Sequence, residues 1–139
     1  MEKFSNSVAI ITGASAGIGK EICLRLLAEA PPTLVVVGLA RRPISIEHEN
    51  FHAFECDISD PDQIENTIEK IQKKFEKLKI SILVNNAGHA KPLPLLDDGA
   101  LRDNGTVVTK SLKEAAEIYK SMLDVNVLGL TLVTRQVKI

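Results

Sequence analysis

Uninterrupted apolar runs and helical stripes take turns along this chain. Ser7–Thr12 is a short apolar run, and Thr33–Gly38 is a second one, rich in β-branched residues. Runs without polar alternation predict strands covered on both faces. Phe51–Cys56 and Ile80–Asn85 give two further strands. Between the runs the period becomes helical. Ile18, Ile22, Leu26 and Ala30 share one face of a helix predicted over Gly17–Glu29, which Pro31-Pro32 stops. Asp60 is a natural N-cap and Pro61 suits a first helical position, ahead of a stripe of Ile64, Ile68, Ile71 and Phe75. Ser111 and Glu114 have capping-box spacing, opening a last helix whose apolar positions are Met122, Val125, Leu128 and Leu132.

Strands alternating with helices imply one α/β domain built on a doubly wound parallel sheet. The stretch around Pro43 and Glu47-His48-Glu49-Asn50 is short for a crossover helix, so a single turn or none is expected there. From His89 to Lys110 the chain is rich in Pro, Asp and Gly and has no periodicity. A loop that long is functional or mobile. No internal repeat or low-complexity segment is present.

The most chemically informative stretch is the turn after the first strand, Thr12-Gly13-Ala14-Ser15-Ala16-Gly17-Ile18-Gly19. Glycines allow a tight turn and a close approach of ligand to backbone. The free N–H groups of the helix that follows, with its dipole, attract anionic oxygens. The spacing is Gly-x-x-x-Gly-x-Gly, not the commoner Gly-x-Gly-x-x-Gly. A plain helix-capping turn is the bland alternative. In a parallel sheet, ligands sit beyond the carboxyl ends of the strands where the strand order reverses. The glycine turn and the Asn85-Asn86-Ala87-Gly88 run after the fourth strand both emerge at such ends.

Composition narrows the partners. The 139 residues carry a net charge of −1, with 45% hydrophobic and 25% charged residues. That balance argues against a nucleic-acid or polybasic membrane-surface role. Cys23 and Cys56 lack metal or redox spacing and read as small buried residues. His48, His52 and His89 have no metal spacing either, and His89 reads as a solvated loop residue; no metal site is expected. The start of the chain lacks the apolar core of a signal peptide, and polar residues interrupt every apolar run, so no membrane span is expected. A reduced, cytoplasmic setting follows.

Four motifs in order, Thr12-Gly13…Gly17-Ile18-Gly19, Phe54-Glu55-Cys56-Asp57-Ile58, Asn85-Asn86-Ala87-Gly88 and Leu123-Asp124-Val125-Asn126-Val127, resemble the short-chain dehydrogenase/reductase family. Gly38-Leu39-Ala40-Arg41-Arg42 adds a looser similarity to its farnesol-dehydrogenase-like branch. The resemblance covers nearly the whole chain. It implies a Rossmann-type sheet in strand order 3-2-1-4 and a nicotinamide dinucleotide cofactor. Gly13, Gly17 and Gly19 would line its phosphates, with Ser15 and Ile18 beside them. Thr12 would tie the glycine turn to the Asn-Asn-Ala-Gly backbone. Asn85 would be structural, Asn86, Ala87 and Gly88 would line the ribose side, and Asp57 and the Ile58 N–H would meet the adenine. Arg41 and Arg42 stand where an acid would bind the ribose hydroxyls of NAD, which favours NADP. Asn126 matches the asparagine of the family's Asn-Ser-Tyr-Lys tetrad. The 89–110 stretch looks like an insertion.

The resemblance also implies a serine and a Tyr-x-x-x-Lys pair, and these are missing. The single tyrosine, Tyr119, precedes Asn126, and Leu123 rather than lysine stands four places on. The expectation is a dinucleotide-binding domain without its catalytic half, truncated after about four strands. Its lineage moves hydride between NADP(H) and an alcohol or carbonyl. A non-catalytic cofactor-binding or interaction fragment, and a non-functional truncated product, are the alternatives. Self-association or pairing with a full-length relative fits a sheet left with a bare edge.

Overall fold

The computed structural model describes residues 4–91, 102–103, 106–107 and 111–137. Four strands, β1 (Ser7–Thr12), β2 (Leu34–Ala40), β3 (Phe51–Glu55) and β4 (Lys79–Val84), form one parallel sheet in the order β3-β2-β1-β4. This is the doubly wound order expected, with the reversal between β1 and β4. Two-residue strands β5 (Arg102–Asp103) and β6 (Thr106–Val107) pair antiparallel. The rest of the 92–110 stretch, where the insertion was expected, lies outside the described residues.

The helices are α1 (Gly17–Glu29), α2 (Pro61–Lys74), α3 (Leu112–Leu123) and α4 (Leu130–Gln136), with a π-helical segment at Asp124–Gly129 joining α3 to α4. Asp60 caps α2 by accepting from the Asp62 and Gln63 N–H groups. Ser111 and Glu114 close the expected capping box on α3.

One sheet face is covered by α2 and the end of α4: Val8, Ile10, Val37 and Leu39 pack on Ile64, Ile68, Ile71 and Val133. On the other face Ala9, Ile11 and Val36 pack on Cys23, Ile22 and Leu26 of α1. No helix forms between β2 and β3; Ile44 and Ile46 from that extended connection cover the face instead.

Three local expectations need correction. Ile18 is 74% exposed, so it is not on the core face of α1; the small residues Gly19 and Cys23 are buried there, because α1 lies close against the sheet. β2 runs to Ala40 rather than ending at Gly38, since Leu39 and Ala40 pair with Phe54 and Glu55. In the last helix Leu128 is 46% exposed, and Gly129 and Val133 are buried; Leu132 packs against the core in part, as expected. The wider π turn rotates everything after it.

Candidate active site

Gly13 and Gly17 have φ of +70° and +55°, the left-handed region that glycine enters without penalty. The Gly13 and Ala14 N–H groups both donate to the Leu39 carbonyl, at 2.8 and 3.2 Å, which pins the turn to the end of β2. Gly19 allows a close approach: a Cβ there would overlap the Asn86 amide and the Gly13 carbonyl oxygen. The N-cap of α1 is Ala16, whose side chain caps nothing, and its first turn has no acidic residue. By contrast α2 and α3 each have a side-chain cap and an acid in the first turn. The start of α1 therefore keeps its donors and its positive end for another partner.

The turn after β4 is locked against this loop. Thr12 Oγ1 accepts from the Asn86 N–H at 3.0 Å and the Ala87 N–H at 2.9 Å. Asn86 Nδ2 donates to the Thr12 carbonyl at 3.0 Å. Asn85 is exposed and donates to Thr134 Oγ1 at 2.8 Å, so it ties the turn to α4. Asn126 lies in the π-helical segment. Its Oδ1 accepts from the His89 N–H at 2.9 Å and its Nδ2 donates to the His89 carbonyl at 2.8 Å. Asn126 thus clamps the chain just after Gly88, whose missing Cβ would lie 3.2 Å from its Oδ1.

A cleft of about 240 Å³ opens at the carboxyl ends of the strands. Gly13, Ser15 and Ala16 form its middle, Asn86, Ala87 and Gly88 one side, and Arg41, Arg42, Asp57 and Ile58 the other. The structure thus brings together nine of the residues singled out from the sequence. Thr12, Gly17, Ile18, Gly19, Asn85 and Asn126 do not line it; Thr12, Asn85 and Asn126 tie down the turns that do. Sequence reasoning missed Ala16, Leu39, Ala40, Cys56 and Val125 as lining residues, and read His89 as solvated. Leu39-Ala40, next to Arg41, could have been found; Val125 could not, since the π turn sets its direction.

The charged end has its own order. Asp57 Oδ1 accepts from the Ser59 N–H at 3.0 Å and the Ser59 hydroxyl at 2.8 Å, while Oδ2 faces Arg41 at 3.8 Å. Arg41 is 64% exposed, so this pair is screened and weak. Arg42 has no ion pair among the described residues. Burial pushes the Cys56 thiol above its ordinary pKa; a bond with Thr67 opposes this, and Asp57 and Asp60 add to it. Cys56 therefore stays protonated and is a wall rather than a nucleophile. Among the described residues no three His, Cys, Asp or Glu side chains could hold a metal ion, and no helix is long and apolar enough to cross a membrane.

The residues present fit a dinucleotide: a positive-φ glycine turn, a space at Gly19 that no side chain could occupy, an uncapped helix start and two arginines share one cleft. Comparison with known proteins agrees. The sequence matches the short chain dehydrogenase family over residues 7–138, and the chain belongs to that family. It is 34% identical over 146 residues to a farnesol dehydrogenase from Aedes aegypti, a match covering 98% of this chain and 51% of that protein. It is 37% identical over 93 residues to an NADPH-dependent 3-dehydrocapnine reductase from Ornithobacterium rhinotracheale, covering 63% of this chain and 32% of that protein. The fold superposes on ligand-free aldohexose dehydrogenase from Thermoplasma acidophilum with a TM-score of 0.74 and 28% identity, over 98% of this chain and 44% of that one. The chain spans about half the length of the farnesol dehydrogenase, 51%. The short chain dehydrogenase family is one of oxidoreductases that bind nicotinamide dinucleotides.

Proposed function

We propose that these 139 residues form the NADP(H)-binding part of a short-chain dehydrogenase/reductase, whose full reaction interconverts an alcohol and a carbonyl. One observation carries the reading: the uncapped, acid-free start of α1 opens on the same cleft as Arg41 and Arg42. The Gly13–Gly19 stretch would hold the diphosphate, Asn86–Gly88 one ribose, and Asp57 with Ile58 the adenine. Bound there, the cofactor supplies the hydride-transfer chemistry. This chain's own residues bind it, orient it and hold the loop after β4 still.

Arginine offers a planar, charge-assisted fork that matches a phosphate. The weak Arg41–Asp57 pair leaves Arg41 able to turn to a 2′-phosphate, and Arg42 has no ion pair among the described residues. The NADPH-dependent relative from Ornithobacterium supports the same preference. Calorimetric titration tests it: NADPH binds more tightly than NADH, and Arg41→Ala narrows the gap. Equal affinities for the two refute the preference.

The 139 residues contain no Tyr-x-x-x-Lys run, and Tyr119 does not line the cleft. By themselves they are a cofactor-binding unit without turnover. Leu123, Val127 and Leu128 stand exposed on α3 and the π segment. We extend the proposal to self-association, or pairing with a full-length relative, through that apolar surface.

A further inference from the structure

His89 is half-buried and held at three points. Its backbone N–H and carbonyl are both taken by the Asn126 amide, at 2.9 and 2.8 Å. Its ring Nε2 lies 3.1 Å from the Ser121 carbonyl oxygen. A carbonyl only accepts, so Nε2 carries the hydrogen. In the neutral ring Nδ1 is then an acceptor, and it has no partner among the described residues. The next anchor along the chain, the Lys91 N–H at 3.3 Å from Met122 Sδ, also rests on this helix. A histidine fixed in place and tautomer, lining a cleft, with one nitrogen unused, is a preorganised acceptor.

The sheet order says what that acceptor meets. β2, which leads to the arginines, and β4, which leads to His89, flank β1 and its glycine turn. A ligand whose phosphates sit at the turn sends one half toward Arg41 and Arg42 and the other toward His89. We infer that His89 Nδ1 accepts a hydrogen bond from a ribose hydroxyl of the nicotinamide half of the dinucleotide. This rests on the dinucleotide reading above and adds a residue to it.

Two substitutions separate the acceptor from the anchor. His89→Gln can place an amide N–H near the position of Nε2, keeping the bond to Ser121 and losing the acceptor. His89→Asn can place an amide oxygen near Nδ1 and loses the bond to Ser121. Calorimetry with NADPH and with 2′,5′-ADP, which lacks the nicotinamide half, reads both. The expected result is that His89→Gln weakens NADPH by about three- to tenfold, the loss of one hydrogen bond. Binding of 2′,5′-ADP is unchanged in both variants, which also shows that the cleft is folded, and His89→Asn retains most of the NADPH affinity. If His89→Gln binds NADPH like the wild type, or His89→Asn loses as much as His89→Gln, the inference is overturned while the dinucleotide reading stands. If the wild type binds neither ligand, both fall.

Discussion

Thr12 and Asn86 hold each other across 74 residues of sequence: the Thr12 hydroxyl accepts from the Asn86 N–H at 3.0 Å, and the Asn86 amide donates to the Thr12 carbonyl at 3.0 Å. The exchange joins the ends of β1 and β4 at the reversal of strand order, which is where the cleft opens. Thr12 is 1% exposed, so the hydroxyl has no water to replace these partners.

Thr12→Val keeps the shape and removes the oxygen. It strands the Ala87 N–H and leaves the Asn86 N–H only its 3.1 Å bond to the Val84 carbonyl, and an unsatisfied donor away from water costs about 1–3 kcal/mol. Urea unfolding is expected to show a loss of about 1–3 kcal/mol, and NADPH affinity falls with it. A variant as stable as the wild type contradicts the tie.

Alanine usually stabilises a helix relative to glycine by about 1 kcal/mol. Here both glycines of α1 reverse that. Gly17→Ala costs about 1 kcal/mol through its left-handed backbone alone, because the space around it is open. Gly19→Ala pushes on Asn86 and the Gly13 carbonyl, so it costs more, about 1–3 kcal/mol from overpacking, and disturbs the cleft. Thermal unfolding of the two variants checks the order.

Burial, and then the neighbouring Lys74, hold the His52 pKa below its ordinary 6.5. Lys74 Nζ donates to His52 Nδ1 at 3.1 Å, which needs a neutral ring. The unfolded chain therefore takes up this proton first. Above pH 6.5 the group contributes no pH dependence; as pH falls below 6.5 toward the lower folded value, stability is lost. His52→Gln removes that part of the slope. Asp60, lowered by its bonds to Gln63 and Asp62, acts in a separate window: its contribution is present above pH 3.8 and lost as pH falls further. Urea midpoints between pH 7 and 5 for wild type and His52→Gln decide, because Asp60 is silent there.

Catalysis offers a negative expectation. General acid–base help is worth about 10²–10⁴ in rate, and orientation of substrate can supply about 7–11 kcal/mol more. Without a Tyr-x-x-x-Lys pair these 139 residues are expected to show no NADPH oxidation with a panel of ketones and aldehydes. Turnover that survives a contaminant control and is abolished by Gly13→Asp contradicts this.

The parts of the fold legible in the sequence are those set by local rules. Asp60-Pro61 and Ser111…Glu114 read correctly because a cap is chosen within one helical turn. The central strands β1 and β2 read correctly because apolar runs in a covered sheet have no competing pattern, and β3 and β4 were found although these edge strands are only partly covered. On α1 Ile22, Leu26 and Ala30 pack on the core as their spacing implies, but Ile18 does not, since the close approach to the sheet there is filled by Gly19 and Cys23. The π turn at Asp124–Gly129 was not legible either. One wider turn is fixed by tertiary contacts, here Asn126 on the His89 backbone, and no residue pattern announces it. At the site, the lining residues that carry a motif were found, and those that merely face the cleft were not.

The central claim is that the Gly13–Gly19 turn and the Asn86–His89 turn receive one dinucleotide. Amide chemical-shift mapping of the labelled chain during an NADPH titration tests it most directly. The account predicts saturable shifts at Ser15–Gly19, at Arg41 and Arg42, and at Asn86–His89, all with one dissociation constant, and their loss in Gly13→Asp. Saturation without shifts in these segments, or shifts centred instead on the groove between Leu24 and Ile46, would contradict it.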